Sequence, residues 1–181
     1  MSYINQGAKQ KSLMSKEFKR KIMKRLLIIA VIVSGMSIYA QAQVHPHALG
    51  LRFGGNGVIN GAELSYQHGL SERNRIEFDL GFGRGKNHNR MFIAGIYHWD
   101  WNLVGGLNWY IGPGASIGFY SYDNHAGYLN VALGGQIGLE YDFNVLGAPI
   151  LLSLDARPMW DFLGDHAGFG WGAALGIRYT W

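Results

Sequence analysis

From Gly168 to Trp181 the chain reads GFGWGAALGIRYTW. One parity holds Phe169, Trp171, Ala173, Leu175, Ile177, Tyr179 and Trp181. The other holds Gly168, Gly170, Gly172, Ala174, Gly176, Arg178 and Thr180. Successive side chains alternate across a strand, so this period of two describes a β-strand with one broad apolar face and one small or polar face. A helix would mix the two sets around its circumference. A strand of this length, greasy on one side and ending on bulky aromatics, suits the wall of a barrel that faces lipid.

The same alternation recurs seven times upstream. Leu49 to Gly54, Ala62 to Gln67, Ile76 to Gly83, Ile93 to Asn102, Leu107 to Phe119, Leu129 to Tyr141 and Ile150 to Arg157 each separate apolar from small or polar residues. Gly, Asn, Asp and Ser cluster between them as turn signals. Pro113 interrupts the fifth segment and predicts a bulge or bend there, and residues 158–167 read as a loop. Eight strands with short connections predict an all-β fold, an eight-stranded antiparallel up-and-down transmembrane β-barrel.

Which face points inward follows from volume. Eight strands enclose room only for closely packed side chains, and a Trp-rich face would overfill it. The small face carries charges of both signs: Arg52, Glu63, Glu77, Asp79, Asp100, Glu140, Asp155, Arg157 and Arg178. Buried charges need partners, so these are read as paired charges in the lumen. By the up-and-down order, Tyr66, Trp99, Trp101, Trp109, Tyr141, Tyr179 and Trp181 fall on the apolar face at one end, as an aromatic girdle at a membrane interface. Phe53, Phe82, Phe119 and Phe169 form a second ring at the other. A soluble lipocalin-like barrel is the inverted alternative.

The basic balance of the chain belongs to its start. Eight of 16 Lys and Arg lie between Lys9 and Arg25, whereas from Gln43 onward 8 basic residues face 11 acidic ones. A nucleic-acid partner is therefore not expected. Met23-Lys24-Arg25, an apolar run and Ala40-Gln41-Ala42 have the layout of a signal peptide cleaved after Ala42. The expected organisation is a polar basic extension at 1–22, which need not be translated, a signal peptide at 23–42, and a barrel domain at 43–181. The chain has no cysteine, which excludes disulfides and thiolate metal sites.

At Tyr97-His98-Trp99, at Gly106-Leu107-Asn108-Trp109-Tyr110-Ile111-Gly112-Pro113-Gly114, and at Gly176-Ile177-Arg178-Tyr179-Thr180-Trp181, the chain resembles the small OmpA/OmpX-like outer-membrane β-barrel proteins of Gram-negative bacteria. The resemblance spans the whole of 43–181 and concerns architecture. It implies residence in the outer membrane among lipids and lipopolysaccharide. It also implies that Tyr179 and Trp181 form the signal read by the barrel-assembly machinery, although Phe is the more usual terminal residue. The long protruding loops of adhesive relatives are missing.

Motifs with possible chemistry are weak. Gly114-Ala115-Ser116-Ile117-Gly118 matches the nucleophile-elbow pattern but lies within a strand with no helix after it. Gly81 to Lys86 lacks the phosphate-loop spacing. His88, His125 and His166 fall in separate loops at the outer end, with Asp123, Asp161 and Asp165, and are weak metal candidates. Ser121, Asp123 and His125 share one loop, the sole hint of a lipid A-modifying enzyme. No catalytic residue and no cofactor are expected. The reading is a structural or interaction-type barrel without a wide pore, with a lipid A-modifying enzyme, a small-solute channel and a lipocalin-like binder as alternatives.

Overall fold

The computed structural model describes residues 44–55, 60–84, 88–122, 125–163 and 168–181. Eight strands run in order: β1 (His47–Gly55), β2 (Asn60–Ser71), β3 (Asn74–Arg84), β4 (His88–Val104), β5 (Leu107–Tyr122), β6 (His125–Asp142), β7 (Ile150–Asp161) and β8 (Gly168–Thr180). Each pairs antiparallel with its neighbours, and β1 pairs with β8 to close the barrel. The seam is sealed at the chain end, where His47 and Trp181 exchange backbone hydrogen bonds of 3.2 and 3.1 Å.

The register defines the size of the barrel. A path across the ladder leaves β8 at Thr180, passes Ala48, Gln67, Glu77, Ile96, Gly114, Gly134 and Met159, and re-enters β8 at Gly170, ten residues away. With ordinary strand spacing and rise, eight strands and this stagger give a tilt of about 40° and a backbone radius of about 8 Å. Along β8 the rise from Phe169 to Trp181 is then about 30 Å parallel to the axis.

The apolar parity faces out. Leu175, Trp171, Phe169, Ile93 and Phe82 are all more than half exposed. The polar parity faces in, where Arg52, Ser65, Glu77, Asp79, His98 and Asp100 are buried. This is the inverse of a lipocalin-like barrel. The start of β1, the end of β8 and three connections lie at one end: Glu72–Arg73, Gly105–Gly106 and a stretch containing the 3₁₀ turn Phe143–Leu146. Gly105 turns at φ 55°, a left-handed backbone that favours glycine.

Three expectations need correction. Pro113 causes no bulge: its pairing with Gly135 on β6 is continuous, and on the β4 side the register is the same before and after it. Ladder partners are merely absent where Tyr97 and His98 pass Gly112 and Pro113. A proline removes one N–H, and a local gap accommodates that without an extra residue. Residues 158–161 belong to β7, not to a loop, because Pro158 to Asp161 pair with Trp171 to Gly168. His88 and His125 likewise open β4 and β6 instead of lying in loops.

Glycine-rich strands mixed with aromatics have a packing reason. Tyr110 is paired across from Gly138, and a Cβ on that glycine would lie 2.5 Å from the Tyr110 ring. Phe92 and Gly81 are paired the same way, at 2.1 Å. Each ring lies over its partner glycine, which covers backbone that would otherwise be bare and makes room for the ring.

Candidate functional site

Inward parity on eight strands converges a set of ionisable side chains on the barrel axis. At its centre Glu77 of β3 is fully buried. Its carboxylate accepts from Arg178 Nη2 of β8 at 2.9 Å, Gln67 Nε2 at 2.6 Å, Gln136 Nε2 at 3.2 Å and Arg157 Nη2 at 3.3 Å. Arg178 also donates to the hydroxyls of Ser65 and Ser153, at 3.0 and 2.9 Å. Arg52 of β1 pairs with Glu63 and Asp155, and Arg157 of β7 pairs with Asp79 and with Glu63. Each arginine therefore bridges strands distant in sequence.

A second group lies nearer the end where β1 starts and β8 stops. Arg75 grips Glu140 through two hydrogen bonds of 2.9 and 2.6 Å and lies 3.0 Å from Asp100. Its guanidinium sits 4.8 Å from the centre of the Tyr110 ring. Tyr110 donates its hydroxyl to Asp155 at 3.1 Å, which ties the two groups together. Below them, the segment before β1 crosses the barrel end. His45 Nε2 meets Asp142 Oδ2 at 2.7 Å. Burial pushes the Asp142 carboxyl up, but the side-chain and backbone donors of Asn144 and the contact with His45 outweigh it and hold it below the usual carboxylate range.

Toward the opposite end the interior opens into a cup of about 130 Å³ whose lining includes Arg52, Glu63, Arg157, Gly170 and Gly172. That is room for about four waters. Gly170 has open space where a Cβ would be, whereas a Cβ on Gly176 would lie 2.4 Å from Ser153 Oγ. Glycine thus spaces the packed part of β8 and merely lines its open part. On the wall of the cup, the Arg90 guanidinium lies 4.4 Å from the Phe92 ring centre.

The structure brings Arg52, Glu63, Glu77, Asp79, Asp155, Arg157 and Arg178 into one network, and Asp100 and Glu140 into the Arg75 group. Arg178 meets Glu77, while Asp100 and Glu140 are taken by Arg75. Arg75 is not marked by the sequence pattern because it sits against the β2–β3 turn. Continuing the inward parity of Glu77 by one step back would have found it. Outside, Trp101 stacks on Trp109 at 4.6 Å and Trp99 meets Tyr97 edge-on at 5.1 Å. Tyr141 meets Phe143 at 4.7 Å, Tyr179 stacks on Trp181 at 5.9 Å, and Tyr66 lies beside His47. Ser116 lies within β5 and lines the cup. Ser121 and Asp161, expected in loops, lie within β5 and β7, where Asn89 and Gly168 pair with them. His166, Asp123 and Asp165, and the side chains of His88 and His125, which complete the two sites suggested by the sequence, lie outside the described residues.

The fold is shared with solved barrels. Neisserial surface protein A is 12% identical, with 75% of this chain and 96% of that one covered, at a TM-score of 0.60. The N-terminal β-barrel domain of Pseudomonas aeruginosa OprF is 15% identical, with 77% and 99% covered, at 0.51. Ail, the attachment invasion locus protein of Yersinia pestis, is 12% identical, with 75% and 96% covered, at 0.50. At such identities the likeness is one of fold: the chain has the architecture of the small eight-stranded outer-membrane barrels. No protein-family model matches the chain, and neither does any curated protein sequence.

Proposed function

We propose that the chain is an integral outer-membrane β-barrel protein of structural or interaction type, its interior plugged by ion pairs and not open as a wide pore. One observation carries this reading: large apolar side chains cover the outside of the barrel while charged ones fill the inside. Soluble proteins seldom expose contiguous apolar patches beyond a few hundred Å², and here the apolar surface continues around all eight strands. The separation of about 30 Å between Phe169 and Trp181 along the axis suits an apolar band of about 25 Å edged by aromatic girdles. The shared fold supports the same membrane.

In this reading residues 23–42 export the chain and are removed, and the end with the termini faces the periplasm. The girdle residues meet lipid and lipopolysaccharide head groups, and the assembly machinery recognises Tyr179 and Trp181. The layer of Arg52, Glu63, Glu77, Asp79, Asp155, Arg157 and Arg178 supports a closed interior. Its role is to hold the strands in register, since each arginine joins strands that the backbone ladder does not.

Separation of inner and outer membranes from cells expressing the chain with its leader tests the location, together with gel mobility in SDS before and after boiling. Outer-membrane fractionation and a shift on boiling are expected. A soluble periplasmic protein with no shift would refute the proposal. In planar bilayers no wide-channel conductance is expected, and large conductance steps would overturn the plugged interior.

A further inference from the structure

We infer a divalent-metal site on the outer face of the barrel, formed by His47 and His68. The two residues are direct cross-strand partners on β1 and β2. Both side chains point away from the lumen and are partly exposed. Their Nδ1 atoms lie 3.4 Å apart and their ring centres 5.1 Å apart. Zinc–nitrogen bonds of 2.0–2.1 Å in a tetrahedron place two ligand nitrogens about 3.3 Å apart. The imidazoles thus already stand at the separation of one tetrahedral edge, and rotation of the rings, with loss of the contact between the two Nδ1 atoms, turns both lone pairs onto a common ion.

Two imidazoles select zinc or copper(II) over magnesium or calcium. Among the described residues no group of three His, Cys, Asp or Glu side chains is placed to hold a metal, so water completes the coordination. Both rings bind the metal through Nδ1 with the proton on Nε2; a neutral ring that carries its proton on Nδ1 passes it to Nε2 through solvent, so that step releases no net proton. The surroundings restrain the rings. His47 stacks on Trp181 at 5.4 Å, while the Tyr66 hydroxyl, 2.9 Å from His47 Nδ1, gives up that contact when the nitrogen takes the metal. The metal clips β1 to β2 beside the β1–β8 seam, and Trp181 reports on its arrival. The geometry rests on the β1–β2 register, and in the proposed membrane the pair lies beside Trp181 at the head-group level, where water reaches the ion.

The test uses the 43–181 chain without a histidine tag, folded in detergent. Zinc chloride is titrated by calorimetry, and copper(II) by tryptophan quenching. One zinc per chain is expected. H47Q, H68Q and the double variant should each bind at least tenfold more weakly and to a similar extent, because a chelate fails when either arm is lost. H45Q should bind like the parent. Far-UV circular dichroism verifies that each variant keeps its strands, and H68Q, away from the seam, serves if H47Q does not fold. Absence of zinc binding in the parent, or parental affinity in folded H68Q, overturns the site and leaves a hydrogen-bonded histidine pair.

Discussion

Replacing Glu77 by glutamine preserves side-chain volume and removes one charge from the middle of the interior network. Arg52 retains Glu63 and Asp155, and Arg157 retains Asp79 and Glu63. Arg178 is different. Its remaining partners are the hydroxyls of Ser65 and Ser153, so a fully buried guanidinium is left with no carboxylate in contact. Breaking a buried pair by removing one partner destabilises by about 3–5 kcal/mol, which is roughly two to four powers of ten in the folding constant. Urea unfolding of the detergent-folded barrel, followed by tryptophan fluorescence, measures this as a lower midpoint at unchanged slope. Adding R178M removes the stranded charge, so E77Q/R178M should recover at least half of the loss, a non-additivity typical of contacting residues. An E77Q midpoint within about 0.5 kcal/mol of the parent, or strict additivity in the double variant, would refute the reasoning.

Three further outcomes are expected. At Gly50 a Cβ would sit 1.9 Å from the Ile177 carbonyl oxygen across the seam, so G50A should destabilise by about 1–3 kcal/mol, whereas G170A, with open space at that position, should stay within about 0.5 kcal/mol in the same urea assay. Because the folded Asp142 carboxyl is held below its ordinary range, its contribution is complete above that range and is lost as pH falls through the depressed value; D142N should remove this acid-side loss in a stability–pH series. Deleting Trp181, which exchanges two backbone hydrogen bonds with His47 at the seam, should lower the yield of heat-modifiable barrel more than a substitution of Leu163 between β7 and β8 does, as read by gel densitometry.

Strand number, order and inward parity were legible because a period of two depends only on which side chains tolerate which face. Elements whose limits rest on partners were not. Nothing local to Pro158 or His88 reveals that strands continue through them; the neighbouring strands β8 and β5 supply the pairing. Pro113 follows the same logic, since a missing N–H can be met by a bulge or a gap, and the neighbouring ladders choose. The interior charges could be named from parity, but their pairing could not. Parity alone allows Arg178 to face Glu77, Asp100 or Glu140, and the choice of Glu77 depends on a stagger of ten residues around the barrel.

The sequence by itself determined that this chain makes strands with one apolar and one small or charged face, and that only a closed barrel could satisfy eight of them in a row. Its alternation is a local property, written residue by residue. The tertiary structure alone decided the stagger, and with it which arginine meets which carboxylate, which glycine underlies which ring, and that His47 stands opposite His68. Those contacts join residues up to 103 positions apart, and such distances exist only once the first strand has closed against the last.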